Sequence, residues 1–245
     1  MKKALLLTGL LLVLSASLAM AAGYNITWGT ACGSAPVSLM TFACASNTTP
    51  ANWRWTTSFK LDADIEDYIN FDTYVEGVFE AGLIPDWWKL SITTDCRGAT
   101  TNSWAHTSAT PGSCVDPFEG TATGGGGYGY LTTSQVQIEA VYTVATGVHV
   151  TAGDEVYMST FAFKNYKTVG TPKCDGCAGG AVFGLLKALI GREFAPVPNN
   201  VIKLQDPFEG GNACLRWQHG WTGQPCNPPV PVRNTTWGQV KSLYR

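Results

Sequence analysis

Hydrophobic and polar positions alternate along residues 53–66. The odd positions hold Trp53, Trp55, Thr57, Phe59, Leu61, Ala63 and Ile65, and the even positions hold Arg54, Thr56, Ser58, Lys60, Asp62, Asp64 and Glu66. Successive side chains of a β-strand point to opposite faces, so a period of two places one face in a core and the other in solvent. The pattern predicts one β-strand over this segment, with both tryptophans buried.

Other segments repeat this alternation. A second strand is predicted over residues 69–79, and the pattern resumes over 88–92 after a glycine and a proline interrupt it. Residues 135–144 alternate again, and a further strand over 156–163 follows a short Gly-Asp turn. We expect these last two strands to form an antiparallel pair.

Several segments do not follow a period of two. Residues 94–133 are rich in Ser, Thr, Gly and Pro, which predicts a long loop, and the glycines at 124–127 predict a flexible hinge within it. Residues 181–190 fit either a helix or a buried strand, and the helix is slightly favoured. Proline and glycine dominate residues 193–231, and one or two helical turns are expected in 237–245.

The composition favours a β-rich fold. Only 14% of the 245 residues are charged and 27 are glycine, which suits short strands joined by turns better than helical bundles. We predict a mainly β protein: a single antiparallel β-sandwich of jelly-roll or immunoglobulin-like type, with long disulfide-stapled loops and at most one or two short helices. This domain would span residues 22–245, with an irregular C-terminal extension from about residue 193.

Residues 1–21 have the form of a secretory signal peptide. Lys2 and Lys3 precede an apolar stretch at 4–14, and a run of small residues ends at Ala21. The apolar stretch is shorter than the roughly 20 residues that span a bilayer, which favours cleavage over a retained anchor. We therefore expect a secreted or periplasmic protein with no transmembrane anchor after signal cleavage.

The charge balance argues against nucleic acid as a partner. The chain has 16 Lys and Arg against 18 Asp and Glu, and its formal net charge is −2. The basic residues are scattered singly, whereas a phosphate-binding surface needs them clustered.

All eight cysteines lie after the predicted signal peptide, and an even number in an exported chain predicts a disulfide framework. We predict bridges between sequence neighbours: Cys32 with Cys44, Cys96 with Cys114, Cys174 with Cys177, and Cys214 with Cys226. Cys174 and Cys177 also form a CxxC, for which a redox dithiol and half of a zinc site are the alternatives. Neither a strand-to-helix setting nor a histidine pair accompanies this motif.

Acidic residues group at Asp62, Asp64, Glu66 and Asp67. Their alternation with apolar residues favours the solvent-facing side of the predicted strand. Carboxylates on one strand face could also bind calcium, with Asp62, Asp64 and Glu66 as ligands. A carboxylate pair drawn from Asp62, Asp64 and Asp86 could hydrolyse glycosides. No motif for nucleophilic catalysis is present, so no catalytic residue is assigned, and calcium is the one cofactor left open.

Nine tryptophans are many for this length. Trp87 and Trp88 are neighbours, so on a strand they would point to opposite faces and one would be exposed. Exposed indoles stack on sugar rings and on peptides. Trp87, Trp104 and Trp221 are therefore candidates for an aromatic ligand platform, with ordinary core packing as the alternative.

The sequence Asp-Pro-Phe-Glu-Gly occurs at residues 116–120 and again at 206–210. Asp-Pro favours the start of a turn, phenylalanine can anchor the turn to a core, and glycine lets the chain leave it. We interpret the repeat as one turn used twice. A duplicated half-domain and a repeated ligand contact are the alternatives.

Three features together resemble those of uncharacterised secreted bacterial proteins. They are Pro-Asp-Trp-Trp at 85–88, Lys-Thr-Val-Gly at 167–170 leading into the CxxC, and Thr-Trp-Gly-Gln-Val-Lys-Ser-Leu-Tyr-Arg at 236–245. No activity accompanies these motifs, so the resemblance implies export and a bacterial origin only.

Taken together, these patterns favour a secreted, disulfide-stabilised, non-catalytic module at the cell envelope or outside. Its role would be structural or binding, with a glycan or a protein as ligand. A secreted carboxylate-dependent polysaccharide hydrolase and a calcium-stabilised adhesin-like module are the alternatives.

Overall fold

The computed structural model describes residues 22–29, 32, 35–51, 53–98, 102–106, 114–193 and 200–221. Within these ranges the strands are β1 (Gly23–Trp28), β2 (Leu39–Met40), β3 (Arg54–Lys60), β4 (Ile65–Phe79), β5 (Asn102–Ala105), β6 (Thr123–Tyr130), β7 (Gln135–Val150), β8 (Val156–Phe163), β9 (Ala181–Arg192), β10 (Val201–Leu204) and β11 (Cys214–Trp217). The helical content of the same ranges is one 3-10 helix, Asp86–Trp88. The prediction of a mainly β fold is confirmed.

The strands form two sheets that pack face to face. One has four antiparallel strands in the order β1-β3-β8-β5, and the other has seven, with the path β2-β11-β9-β4-β7-β6 and β10 paired to β9. In the second sheet β2 and β11 are parallel. Side chains of the two sheets meet between them: ring centroids lie 5.2 Å apart for Trp55 and Phe183, and 5.5 Å apart for Phe59 and Tyr68. This is a sandwich arrangement.

Aromatic side chains fill the space between the sheets. The fully buried tryptophans include Trp28, Trp53, Trp55, Trp87, Trp88 and Trp217. The Trp217 ring stacks on Phe42 at 4.2 Å, and its Nε1 donates to the Cys177 carbonyl at 2.7 Å, so this buried indole has both packing and a hydrogen-bond partner. The predicted burial of Trp53 and Trp55 is confirmed.

The predicted strand over 53–66 is two strands in different sheets. β3 ends at Lys60 in the four-stranded sheet, and β4 begins at Ile65 in the seven-stranded sheet. Leu61 and Ile65 are both buried, whereas Ala63 at the corner between them is exposed. A period of two reports burial and not pairing partners, which is why the sequence pattern did not show the crossing.

The antiparallel pair predicted for 135–144 and 156–163 is also wrong. β7 lies between β4 and β6 of the seven-stranded sheet, whereas β8 lies between β3 and β5 of the four-stranded sheet. The connection between β7 and β8 therefore crosses from one sheet to the other. Gly153 in this connection has φ of 81°, a backbone conformation that glycine adopts readily.

The glycines at 124–127 are part of β6 and not of a hinge. β6 pairs with β7 in unbroken register from Thr123 opposite Thr143 to Tyr130 opposite Val136. A Cβ added to Gly124 would lie 2.1 Å from the Val141 carbonyl oxygen, so close backbone packing requires glycine there. The predicted loop over 94–133 is therefore interrupted by β5 and β6.

Residues 181–190 lie in strand β9, so the slight preference for a helix is wrong. β9 lies between β4 and β11. Phe183 points into the core between the sheets, while Val182 packs with Val78 and Cys214 on the outer face. A strand that is buried on both faces loses the polar alternation that would identify it.

The C-terminal third is more regular than predicted, because β10 and β11 lie within residues 193–231. The signal peptide at 1–21 and the helical turns at 237–245 fall outside the described residues. The division into one domain with a C-terminal extension stays a prediction.

Three disulfide bonds link described cysteines, and none joins the predicted neighbours. They are Cys32–Cys114, Cys44–Cys177 and Cys96–Cys174, with Cα–Cα distances of 5.3, 5.8 and 5.9 Å. The predicted bridges Cys32–Cys44, Cys96–Cys114 and Cys174–Cys177 are therefore wrong. Cys214 is also disulfide-bonded, and its predicted partner Cys226 lies outside the described residues.

Topology explains the difference in pairing. The three bridges span 82, 133 and 78 residues, because the sandwich brings loops that are distant in sequence together. Cys174 and Cys177 are both buried and each is bonded to a different distant cysteine. The CxxC therefore serves two structural bridges and is not a dithiol of its own.

Candidate ligand-binding groove

The 3-10 helix Asp86–Trp88 lies at one end of the sandwich. Pro85 precedes it with φ of −63°, which suits the start of a helical turn. With three residues per turn, neighbouring side chains need not point to opposite sides, and Trp87 and Trp88 are both fully buried. The predicted strand over 88–92 and the predicted exposure of one of these tryptophans are wrong.

Two buried side chains bind carbonyl groups of this helix. Arg97 Nη1 donates to the Trp87 carbonyl at 2.9 Å, and the Tyr128 hydroxyl donates to the Trp88 carbonyl. The Arg97 guanidinium also lies 3.7 Å from the centroid of the Trp87 ring. Burial lowers the pKa of Arg97 to about 9 and raises the pKa of Tyr128 well above its ordinary value. These contacts attach the loop after the helix to the core.

An apolar groove of about 620 Å³ opens beside the helix. It is lined by Leu83, Ile84, Lys89, Tyr130, Thr132 and Thr133. Leu83 is 60% exposed and Tyr130 is 40% exposed, and their neighbours Ile92 and Leu131 are exposed as well. The volume is typical of ligand pockets, and a surface group of large apolar side chains is typical of binding sites.

Asp95 holds one side of the groove in place. Its Oδ2 accepts hydrogen bonds from the backbone N–H groups of Ser91 and Ile92, both at 2.8 Å, and from the Tyr130 hydroxyl. Burial, followed by the hydrogen bond to Asp95, raises the pKa of Tyr130. The tyrosine ring is thus fixed as a neutral side chain of the groove.

The other polar groups beside the groove are largely paired. Lys89 Nζ lies 2.6 Å from a carboxylate oxygen of Asp86, and the hydroxyls of Thr132 and Ser134 are 3.2 Å apart. The groove therefore presents mainly apolar surface.

Strand β6 runs from the outer edge of the sheet to this groove. Within the described ranges β6 pairs with β7 alone, and residues 123–127 are exposed. It has neither a charged residue nor a proline, which are features that usually protect edge strands from pairing. Gly125, Gly127 and Gly129 have no described atom within 4 Å of an added Cβ. The edge is an accessible backbone that ends at Tyr130.

Beside β6, the outer face of the seven-stranded sheet is acidic. Gly127 is paired with Glu139, and Glu139 is in turn opposite Tyr74, whose neighbours on the same face of β4 are Asp72 and Glu76. Burial raises the pKa of Asp72, and the charge of Glu139 adds to this rise. The hydrogen bond to Asp72 raises the pKa of Tyr74.

One lysine accompanies these acids. Lys187 Nζ lies 3.8 Å from the centroid of the Tyr74 ring. The three carboxylates of Asp72, Glu76 and Glu139 thus have one nearby described cation on this face. The patch is net acidic.

The three candidate tryptophans do not form one platform. Trp87 is fully buried, so the prediction is wrong for this residue. Trp104 is half-buried, with its ring centroid 4.1 Å from that of Phe161. Trp221 packs against the outer-face cluster that contains Val78. Because the indoles lie in separate environments, they present no shared stacking surface.

The acidic residues singled out from the sequence have separate neighbours. Asp64 accepts the backbone N–H of Ala152 at 2.7 Å, and a carboxylate oxygen of Glu66 lies 3.0 Å from His149 Nδ1. Asp62 is exposed. Asp86, the first residue of the 3-10 helix, pairs with Lys89. The calcium and hydrolase hypotheses stay untested predictions.

One described group brings three potential metal ligands within 4.8 Å of one another: Cys32, Cys114 and Glu155. Its two cysteines are joined in a disulfide, so their sulfur atoms are not thiolates. Ser58 donates to Glu155 at 2.6 Å. This group is therefore a structural hydrogen-bonded cluster.

His106 and Asp116 form a buried, hydrogen-bonded pair that the sequence did not reveal. His106 Nδ1 lies 2.6 Å from the Met158 carbonyl oxygen, and Nε2 lies 3.0 Å from Asp116 Oδ1. Both ring nitrogens therefore have a hydrogen-bond partner in the core. The two side chains are 0% and 4% exposed. No spacing rule marks this pair, whose members are ten positions apart in the sequence.

The two Asp-Pro-Phe-Glu-Gly copies both form turns but hold them differently. Asp116 accepts the N–H groups of Phe118 at 3.1 Å and Gly120 at 2.9 Å through its side chain. In the second copy the Asp206 backbone carbonyl accepts the Tyr24 N–H at 3.1 Å. The interpretation as a turn used twice agrees with this geometry.

The groove residues themselves were missed at the sequence level. A usable signal was present: Leu83 directly follows Gly82 in a turn, where an apolar side chain has no strand face to bury it. Tyr130 carries the same signal at the end of a glycine-rich segment. Period-based analysis passes over both because neither belongs to an alternating run.

No protein-family model matches the chain, and no curated protein matches it in sequence. Among solved structures, the chain has some similarity to AvmM, whose description states that it catalyses macrocyclization in alchivemycin A biosynthesis. The match has 12% identity and a TM-score of 0.33, and covers 84% of this chain and 92% of that one. A likeness at this score carries no argument about fold or activity. In the described ranges, no helix has the length and apolar character needed to cross a membrane.

Proposed function

We propose that this protein is an exported, disulfide-stabilised, non-catalytic module that binds another protein through the apolar groove. The observation that carries the proposal is the groove itself, where Leu83 and Tyr130 are exposed and add to the exposed apolar side chains of Ile92 and Leu131. Apolar surface in contact with water is unfavourable, so a group of this size is best explained by a partner that covers it.

A protein ligand fits the groove better than a glycan. Sugars need convergent hydrogen-bonding groups around an aromatic ring, but Asp95 is occupied by backbone N–H groups and Lys89 by Asp86. Apolar side chains of a protein need none of these. The paired polar groups therefore favour a protein as the partner.

Export is supported by the cysteines. Disulfides persist in oxidising compartments, and three of them join described loops. The charged and apolar pattern of residues 1–21 adds a signal peptide to the proposal, with the periplasm or the exterior of a bacterium as the destination.

Selection of a random peptide display library against the folded protein tests this function. We expect enriched peptides whose affinity falls at least tenfold in Leu83→Asp, because a charge would then lie in the groove. Val201→Asp places the same charge at an exposed apolar position on β10 and should leave the affinity unchanged. Peptides that bind both variants equally would contradict the proposal, as would a polysaccharide that occupies the groove while no peptide does.

A further inference from the structure

We propose that the partner adds, as an extended strand, to the edge of β6 that no described strand covers, with an apolar side chain in the groove and a lysine or arginine three positions away. This inference rests on the proposed function and names the chemistry of the partner. The partner would pair with the sheet through its backbone, in addition to its side-chain contact in the groove.

The edge of β6 supplies the backbone half of this recognition. The strand is eight residues long, and its regular register with β7 leaves its other edge as a straight row of backbone groups. Long edges without charge, proline or bulge are ready templates for pairing. The exposure of residues 123–127 means that a partner strand has access to that row.

The positions of Tyr130 and Gly127 set the spacing in the partner. Tyr130 ends β6 and lines the groove, so a partner side chain beside it and on the same face reaches the apolar surface. Gly127 is three positions earlier and lies on the opposite face. A partner side chain beside Gly127 meets open space, since no described atom lies within 4 Å of an added Cβ.

Charge complementarity identifies the second side chain as basic. Glu139 on β7 is the pairing partner of Gly127. On its other side Glu139 is opposite Tyr74 of β4, two positions from Asp72. Because Gly127 has no side chain, a lysine or arginine can extend over it toward these carboxylates. Glu139 is the carboxylate next to Gly127 in the register, so it is the group with which this cation pairs.

Three synthetic peptides test the inference by isothermal titration calorimetry. The first has nine residues of alternating threonine and valine, with leucine at position 2 and lysine at position 5. The second replaces the lysine with glutamate, and the third is the first peptide N-methylated at every backbone nitrogen, so that neither of its edges can donate hydrogen bonds to a strand. We expect the first to bind at least tenfold more tightly than either of the others, and Glu139→Lys to reverse the preference between the first two.

The outcomes separate this inference from the proposed function. If the N-methylated peptide binds as well as the first, or if Glu139→Lys changes nothing, strand addition with a basic contact is wrong. The groove function survives that result when library-selected peptides still lose affinity in Leu83→Asp. If those peptides are insensitive to Leu83→Asp as well, both proposals fail.

Discussion

Trp104 of β5 lies directly against Gly126 of β6: a Cβ added to this glycine would come within 1.5 Å of the indole Cδ1. The tryptophan belongs to the four-stranded sheet and the glycine to the seven-stranded sheet. The same indole contacts Phe161 on β8 at 4.1 Å between ring centroids. This contact closes the space between the sheets beneath the inner face of β6, inside the edge where the proposed partner strand would add.

Substitution of Gly126 tests that closure. We expect Gly126→Ala to reduce the free energy of unfolding by about 1–3 kcal/mol, because the methyl group must displace Trp104 or shift β6. Gly125→Ala is the matched control, since nothing lies within 4 Å of its added Cβ, and its effect should be below about 0.5 kcal/mol. Urea unfolding followed by tryptophan fluorescence measures both. Equal effects of the two variants would show that the indole does not press on Gly126.

The buried pair of His106 and Asp116 predicts that an isosteric substitution of Asp116 lowers the free energy of unfolding. Asp116→Asn should cost about 1–3 kcal/mol in the free energy of unfolding, because an amide has one acceptor oxygen in place of two and leaves the N–H of Phe118, the N–H of Gly120 or the His106 ring without its acceptor in a buried site. Asp206→Asn changes the same residue of the second Asp-Pro-Phe-Glu-Gly copy, where the side chain is exposed, and should cost less than about 0.5 kcal/mol. A comparable loss in both variants would mean that the buried hydrogen bonds of the Asp116 side chain do not carry the stability.

Glu76 predicts a dependence of stability on pH. It is 8% exposed, one carboxylate oxygen has no described hydrogen-bond partner, and burial raises its pKa. An acid with a raised pKa in the folded state binds more protons folded than unfolded, so its contribution to stability falls as pH rises above its ordinary pKa. Glu76→Gln should therefore raise the free energy of unfolding at pH 7 by about 1 kcal/mol, with a smaller gain at pH 4.

Thermal unfolding at the two pH values measures this difference, with the exposed Glu209→Gln as control. The control should show no gain at either pH. A Glu76→Gln variant that is less stable than the wild type at pH 7 would indicate that the carboxylate has a stabilising partner.

The disulfide framework predicts both a peptide map and a stability change. Proteolysis without reduction should yield Cys44 linked to Cys177 and Cys96 linked to Cys174, and a peptide with Cys174 bonded to Cys177 would contradict the structure. The double variant Cys44→Ser/Cys177→Ser should lose about 2–5 kcal/mol, because the bridge closes a loop of 133 residues in the unfolded chain. Calorimetric unfolding of the oxidised protein provides the measurement.

Much of the fold was predictable because burial of one face of a strand leaves a local trace in the sequence, the alternation of apolar and polar residues. The alternation over 53–60 identifies β3 and the buried faces of Trp53 and Trp55, and the alternation over 69–79 identifies most of β4. The same trace is absent where a strand is buried on both faces, as in β9, or where its side chains are missing, as in the glycines of β6. β6 contains these glycines because neighbouring atoms lie where larger side chains would have to go. The strand propensity of glycine is low, so the sequence alone does not suggest a strand there.

The candidate site was less predictable than the fold. Trp87 has the chemistry of a ligand platform, but only its position in a 3-10 helix decides that it is buried. Leu83 and Tyr130 are ordinary residues in the sequence and become a groove when the β4 end and the β6 end meet. Residue type alone does not indicate that the ends of two strands lie close together.

By itself, the sequence of this protein determined its class of fold, the apolar faces of its alternating strands and the use of its cysteines in bridges. These follow from side-chain chemistry and from a period that is local along the chain. The tertiary structure alone decided which strands share a sheet, which cysteines meet, how His106 finds Asp116 and where apolar side chains remain in solvent. Each of these depends on contacts between residues that are distant along the chain, and such contacts leave no local pattern.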